Sequence, residues 1–103
     1  MKKDDILKVI EDYYFHLVRQ SEGSTVPWLL PSMETVLYYS HQLWMANYML
    51  QQVSNAENPD VEFISAIRDK FIAYSDVDDR WTDCVECADE IIDILLDNKE
   101  VYI

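Results

Sequence analysis

Between Asp76 and Glu100 the chain reads DVDDRWTDCVECADEIIDILLDNKE, and its residue types sort by helical position. At about 100° per residue, Trp81, Cys84, Val85, Ala88, Ile91, Ile92 and Leu95 gather on one side of a helix. Asp79, Asp83, Glu86, Glu90, Asp93 and Asp97 gather on the other, and Asp76 and Glu100 extend that row at its ends. A segment patterned in this way folds as a helix with one side against protein and the other in water. No stretch of the chain shows the period-two alternation of a half-buried strand.

The remaining segments follow the same rule. Over 4–21, Ile6, Leu7, Ile10, Tyr13, Tyr14, Leu17 and Val18 recur at helical spacing. Asp4 or Asp5 can cap the start, and Gly23, the only glycine, stands just past the end as a C-cap. Phe15 falls on the charged face and reads as a lone surface aromatic. Pro27 and Pro31 bound an apolar connection whose Trp28, Leu29 and Leu30 are expected to fold over the core.

Ser32 is a good N-cap for a second helix over 33–54. This helix is apolar almost all round, with a narrow polar edge at Glu34, His41 and Gln52. Such a helix belongs at the centre of a bundle or is shared with a partner. The sector carrying Tyr38, Met45 and Met49 is the candidate for a self-association surface.

Asn58-Pro59 reads as a cap followed by Pro at the first helical position, opening a third helix over 59–74 with Phe63, Ile64, Ile67, Phe71 and Tyr74 on one face. Ser75 to Asp78 reads as a break with new caps before a last helix over 76–98, although the apolar phase nearly carries through. The tail Val101 to Ile103 is expected to dock on the body. The expectation is therefore one domain over 1–103, an all-α compact bundle of about four helices with the second central.

Charge narrows the function. The net charge of −12 on 103 residues argues against direct binding of nucleic acid or an anionic membrane, and for a positively charged partner. It is unevenly placed: residues 57–103 carry fourteen acids and four bases, residues 1–56 six acids and four bases. The most apolar stretch, 26–50, is interrupted by Pro27, Pro31, Glu34, His41, Gln42 and Asn47, so no membrane span is expected. The first fourteen residues lack the pattern of a signal peptide, and two cysteines without an export signal fit a reducing cytoplasm.

Motifs for chemistry are weak. Cys84-x-x-Cys87 lies beside Asp83 and Glu86, which oppose thiolate formation, and His16 and His41 are the only histidines to complete a zinc site. Buried core cysteines are the expectation. Asp76 to Asp79 resembles the start of a calcium loop, but Trp81 replaces the turn glycine and Cys87 the closing glutamate. Neither Asp12 with His16 nor Glu34 with His41 has the spacing of a carboxylate di-metal bundle. No catalytic residue, metal or cofactor is expected.

The acidic row has a geometry of its own. Like charges three or four apart cost a helix roughly 0.2–0.5 kcal/mol per pair, and acids near a helix C-terminus oppose its dipole. A row that stability disfavours suggests a use. At 1.5 Å per residue its carboxylates stand roughly 5 Å apart along about 27 Å, a sparse version of a DNA strand with one phosphate per ~3.4 Å. The first expectation is a small acidic protein that binds and blocks a basic, nucleic-acid-handling partner, as phage anti-defence (anti-CRISPR) and toxin-immunity proteins do. Its partner-binding residues are Asp76, Asp79, Asp83, Glu86, Glu90, Asp93 and Asp97. The second is a structural subunit or homodimer associating through the apolar second helix. The third rests on Glu86-x-x-Asp89 and Glu90-x-x-Asp93, which resemble the magnesium-binding helices of all-α nucleotide pyrophosphatases. Those enzymes need a second Glu-rich helix, and the third helix here offers only Glu62 and Asp69.

Overall fold

The computed structural model describes residues 2–23 and 33–97. Among these residues the chain forms α1 (Lys3–Gly23), α2 (Met33–Asn55), α3 (Val61–Ser75) and α4 (Thr82–Asp97), with a short 3-10 turn, Asp79–Trp81, leading into α4. No strand occurs among the described residues, and the protein is an all-α bundle of four helices. The expected cap at Ser32, the covering role of Trp28 to Leu30 and the docking of the tail lie outside the described residues.

Local chemistry sets the ends. Gly23, expected beyond α1, is its last residue; a terminal position fixes less of glycine's backbone freedom than an interior one would. Asp60, and not Asn58, caps α3: its backbone is extended (φ −140°, ψ −174°) and its side chain accepts a 2.8 Å hydrogen bond from the Phe63 N–H. A carboxylate there answers an orphan donor and the helix dipole together, so the helix begins two residues after Pro59. At the other end the Asp76 N–H reaches the Ile72 carbonyl at 3.2 Å and the Asp78 N–H reaches the Tyr74 carbonyl at 3.0 Å. The Asp78 side chain then accepts from the Arg80 N–H at 3.0 Å. The chain breaks and restarts within four residues, so α3 and α4 form a helical hairpin and not one bent rod.

α2 has no basic residue in its last turn. Lys3 supplies the missing cation from α1: its Nζ donates to the Ser54 and Ala56 carbonyls, both at 2.8 Å. Those carbonyls have no helical partner of their own. The contact also sets the start of α1 beside the end of α2.

α2 and α4 share the centre. α2 packs against α1 and α4, and α4 packs against α1, α2 and α3. The His41–Asp83 hydrogen bond and the Trp44–Trp81 ring contact tie α2 to the start of α4 and the turn before it. The core takes Ile6, Ile10, Tyr13 and Leu17 from α1, and Met45, Ala46, Met49 and Val53 from α2. Ile64 and Phe71 come from α3, and Cys84, Cys87, Ala88, Ile91, Ile92, Ile94 and Leu95 from α4. The buried side of α4 is wider than the sequence stripe, taking in Cys87 and Ile94, because helices cover it from more than one direction. α2, apolar nearly all round, is covered less completely: Met33, Val36, Leu37 and Trp44 are exposed.

Both cysteines are free and buried, as expected of core residues. Their Sγ atoms face backbone carbonyls of α2, Cys84 that of His41 at 3.6 Å and Cys87 that of Gln42 at 3.4 Å. Burial, with a smaller push from Asp83, raises the Cys84 thiol from its ordinary 9.0 to about 11. Burial raises Cys87 further, with Cys84 adding to it.

Two outcomes follow from this core. Ile91→Ala should lower unfolding stability by about 2–5 kcal/mol, the range for emptying a buried branched site, as read from urea denaturation. The thiols retain their protons longer in the folded chain than in the unfolded one, so the stability they contribute is complete below pH 9 and is lost as pH rises toward 11. The melting midpoint should fall across that window, less steeply in Cys84→Ala/Cys87→Ala, and neither native thiol should react with a thiol reagent at pH 8 as fast as in the unfolded chain.

Candidate functional site

The acidic row divides into a lead-in and a helical ridge. Asp76 sits in the turn after α3 and Asp79 in the 3-10 turn; both are exposed. The ridge proper runs on α4 from Asp83 to Asp93, about 15 Å at the helical rise. Asp97 closes α4, its side chain outside the described set, as is Glu100. The break before α4 therefore shortens the straight part of the row that the sequence spacing implied.

Its members differ in how far they are committed. Asp83 is half-buried, and its Oδ2 lies 2.9 Å from His41 Nδ1 on α2. Glu90 is half-buried and engaged within the fold. Asp76, Asp79, Glu86 and Asp93 are exposed, and no cation among the described residues is bonded to them. Asp89, beside the row, is met by Arg68 of α3 at 3.2 Å. Where the pyrophosphatase pattern needs a second carboxylate helix, α3 offers an arginine. Among the described residues no three His, Cys, Asp or Glu side chains cluster to hold a metal ion.

The surface proposed for self-association needs correction. Met45 and Met49 are fully buried and Tyr38 is 36% exposed. With Gln42, Ala46 and Val53 the two methionines form the stripe of α2 that faces the core. Gln42 hides this stripe in the sequence: it is a polar residue, nearly fully buried, in the middle of the core face. Its side chain is hydrogen-bonded to Tyr38. What α2 leaves exposed is another side, that of Met33, Val36, Leu37 and Trp44.

Two clefts flank the ridge. The first, of about 350 Å³, is lined by Tyr13, Tyr38, Gln42, Glu86, Asp89 and Glu90. Burial above all, then neighbouring groups that include Glu86, raises both the Tyr13 and Tyr38 hydroxyls from the ordinary tyrosine value, Tyr13 far more. Among the described residues the cleft is lined by phenols, an amide and carboxylates, with no cation.

The second, also about 350 Å³ and mostly apolar, is lined by His41, Trp44, Arg80, Trp81 and Cys84. Its walls belong to an aromatic cluster that the sequence spacing did not predict. Trp44 stacks on Tyr48 with ring centres 5.3 Å apart and planes 13° from parallel. Phe71 meets Trp44, Tyr48, Tyr74 and Trp81 at 5.4–5.9 Å. Trp44 meets Trp81 at 5.9 Å. At the rim, Arg80 donates from Nε at 2.8 Å and from Nη2 at 2.6 Å to one carboxylate oxygen of Asp78. That pair holds the Asp78 carboxyl below the usual carboxylate range.

The His41–Asp83 bond joins this cleft to the ridge, since His41 lines the one and Asp83 heads the other. Helical spacing cannot reveal a pair 42 positions apart. The signal present in the sequence was the isolation of His41 on the polar edge of an otherwise apolar helix.

None of the described helices is long and apolar enough to cross a membrane. No protein-family model, curated protein or solved structure matches the chain.

Proposed function

We propose that this chain is a small acidic interaction protein that binds and blocks a basic, nucleic-acid-handling protein, in the manner of phage anti-defence (anti-CRISPR) inhibitors and toxin-immunity proteins. The observation that carries the reading is the set of exposed carboxylates at Asp76, Asp79, Glu86 and Asp93, with no described cation bonded to any of them. Surface ion pairs are worth only about 0–1 kcal/mol, so pairing these acids would bring little stability, and leaving them open maintains a field. With a net charge of −12 on the chain, that field extends over about a Debye length, roughly 8 Å at physiological salt, and speeds encounter with a positive surface. Blocking follows when the carboxylates occupy the cationic groove that phosphates would otherwise fill.

A second reading is supported by one observation. The exposed Met33, Val36, Leu37 and Trp44 give α2 an apolar side suited to a second copy of the chain. Sedimentation at high protein concentration separates this reading from the first: a monomer removes it.

The main test compares two variants carrying equal charge changes. Asp76→Asn/Asp79→Asn/Glu86→Gln/Asp93→Asn removes four charges from the ridge and its lead-in. Asp4→Asn/Asp5→Asn/Glu11→Gln/Glu57→Gln removes four exposed ones elsewhere. In cell extract at low salt, the unchanged chain should capture basic proteins that duplex DNA displaces. The first variant should fold normally and lose that capture; the second should keep it. Equal capture by both variants would sink the proposal.

A further inference from the structure

The cleft walled by Trp44 and Trp81 stands beside the acidic ridge, and ridge electrostatics alone does not account for it. Trp44 is 47% exposed, yet it is held in place by the stack on Tyr48 and the edge contacts with Phe71 and Trp81. Binding through such a side chain sacrifices little rotamer freedom, because the fold has already ordered it. Clustered tryptophan, tyrosine and arginine is also the composition from which interface anchors are built.

The surroundings select the occupant. Two of the lining residues are tied to carboxylates, His41 to Asp83 and Arg80 to Asp78. Asp79 adjoins Arg80 in the chain, with no described cation bonded to it. The charge of Arg80 is met by Asp78 through two hydrogen bonds, so that arginine does not make the cleft an anion site. An anion would meet the acids around it, and an uncharged apolar group would gain nothing from them. A cation gains twice, from the carboxylates and from the negative face of an indole. Between the two basic side chains, the planar and weakly hydrated guanidinium stacks on aromatic rings where the ammonium of lysine stays hydrated.

We propose that the cleft at the head of α4 receives an arginine side chain of the basic partner, stacked on Trp44 beside the His41–Asp83 pair. This deepens the reading of the acidic face as a docking surface and rests on it. The ridge steers the partner in, and the cleft fixes its register.

The test titrates the full chain with nona-arginine and nona-lysine peptides at low salt, following affinity and the indole N–H resonances. The unchanged chain should bind nona-arginine about tenfold more tightly than nona-lysine, an order of preference within the range of one desolvated cation–π contact. The Trp44 and Trp81 indole signals should shift with the first peptide. Trp44→Leu should bind both peptides with one affinity. Glu86→Gln/Asp93→Asn, which leaves Asp79 and Asp83 in place, should weaken both peptides alike and keep the preference for arginine. Binding of nona-arginine that leaves the Trp44 and Trp81 signals unmoved would overturn the cleft proposal and leave the acidic-face reading standing, whether or not Trp44→Leu folds. Failure of the unchanged chain to bind either peptide would overturn both.

Discussion

Because α4 is packed against all three of the other helices, the positions of Ile91, Ile92, Ile94 and Leu95 set where everything else can stand. Burial of one such side chain is worth about 1.5–3 kcal/mol. The like-charge neighbours on the outer side of the same helix cost roughly 0.2–0.5 kcal/mol per pair. The inner side therefore outweighs the outer one, and α4 stays helical under a charge pattern that would weaken it alone. The acidic surface depends on the core beneath it, and no local propensity explains it.

The same packing makes two chemically different surfaces contiguous. The turn from α3 into α4 brings Trp81 against Trp44 and Phe71, while the first turn of α4 brings Asp83 to His41. An aromatic cleft and the end of a carboxylate ridge thus lie side by side, held by one hydrogen bond and one ring cluster. Aromatic pairs of this kind add about 0.5–1.5 kcal/mol each beyond the area they bury, so the cleft wall is a structural element as well as an exposed one. Phe71, almost fully buried, is the ring that all four others touch.

What could be read in the sequence was what repeats at short range. The helices, the break at Asp76 to Asp78 and the burial of both cysteines follow from spacing, capping chemistry and local charge. The core face of α2 did not, because nearly every side of that helix is apolar and its central buried position is Gln42. Periodicity carries no information when there is no contrast, and only packing against α1 and α4 leaves Met45 and Met49 in the interior. The pairing of His41 with Asp83 and of Arg68 with Asp89, and the convergence of five aromatic rings, are tertiary events between residues at least 21 positions apart in the ionic cases. The acidic row was visible, but the commitment of Asp83 to α2 was not.

The ring cluster also has an optical consequence. Trp44 lies nearly parallel to Tyr48 and oblique to Trp81, with centres within 6 Å in each case. Chromophores held that close, at fixed angles, couple their transition dipoles and add a far-ultraviolet dichroism band unrelated to backbone conformation. Ellipticity from this protein is therefore a composite of peptide and indole signals, and the indole part reports on the junction of α2, α3 and α4.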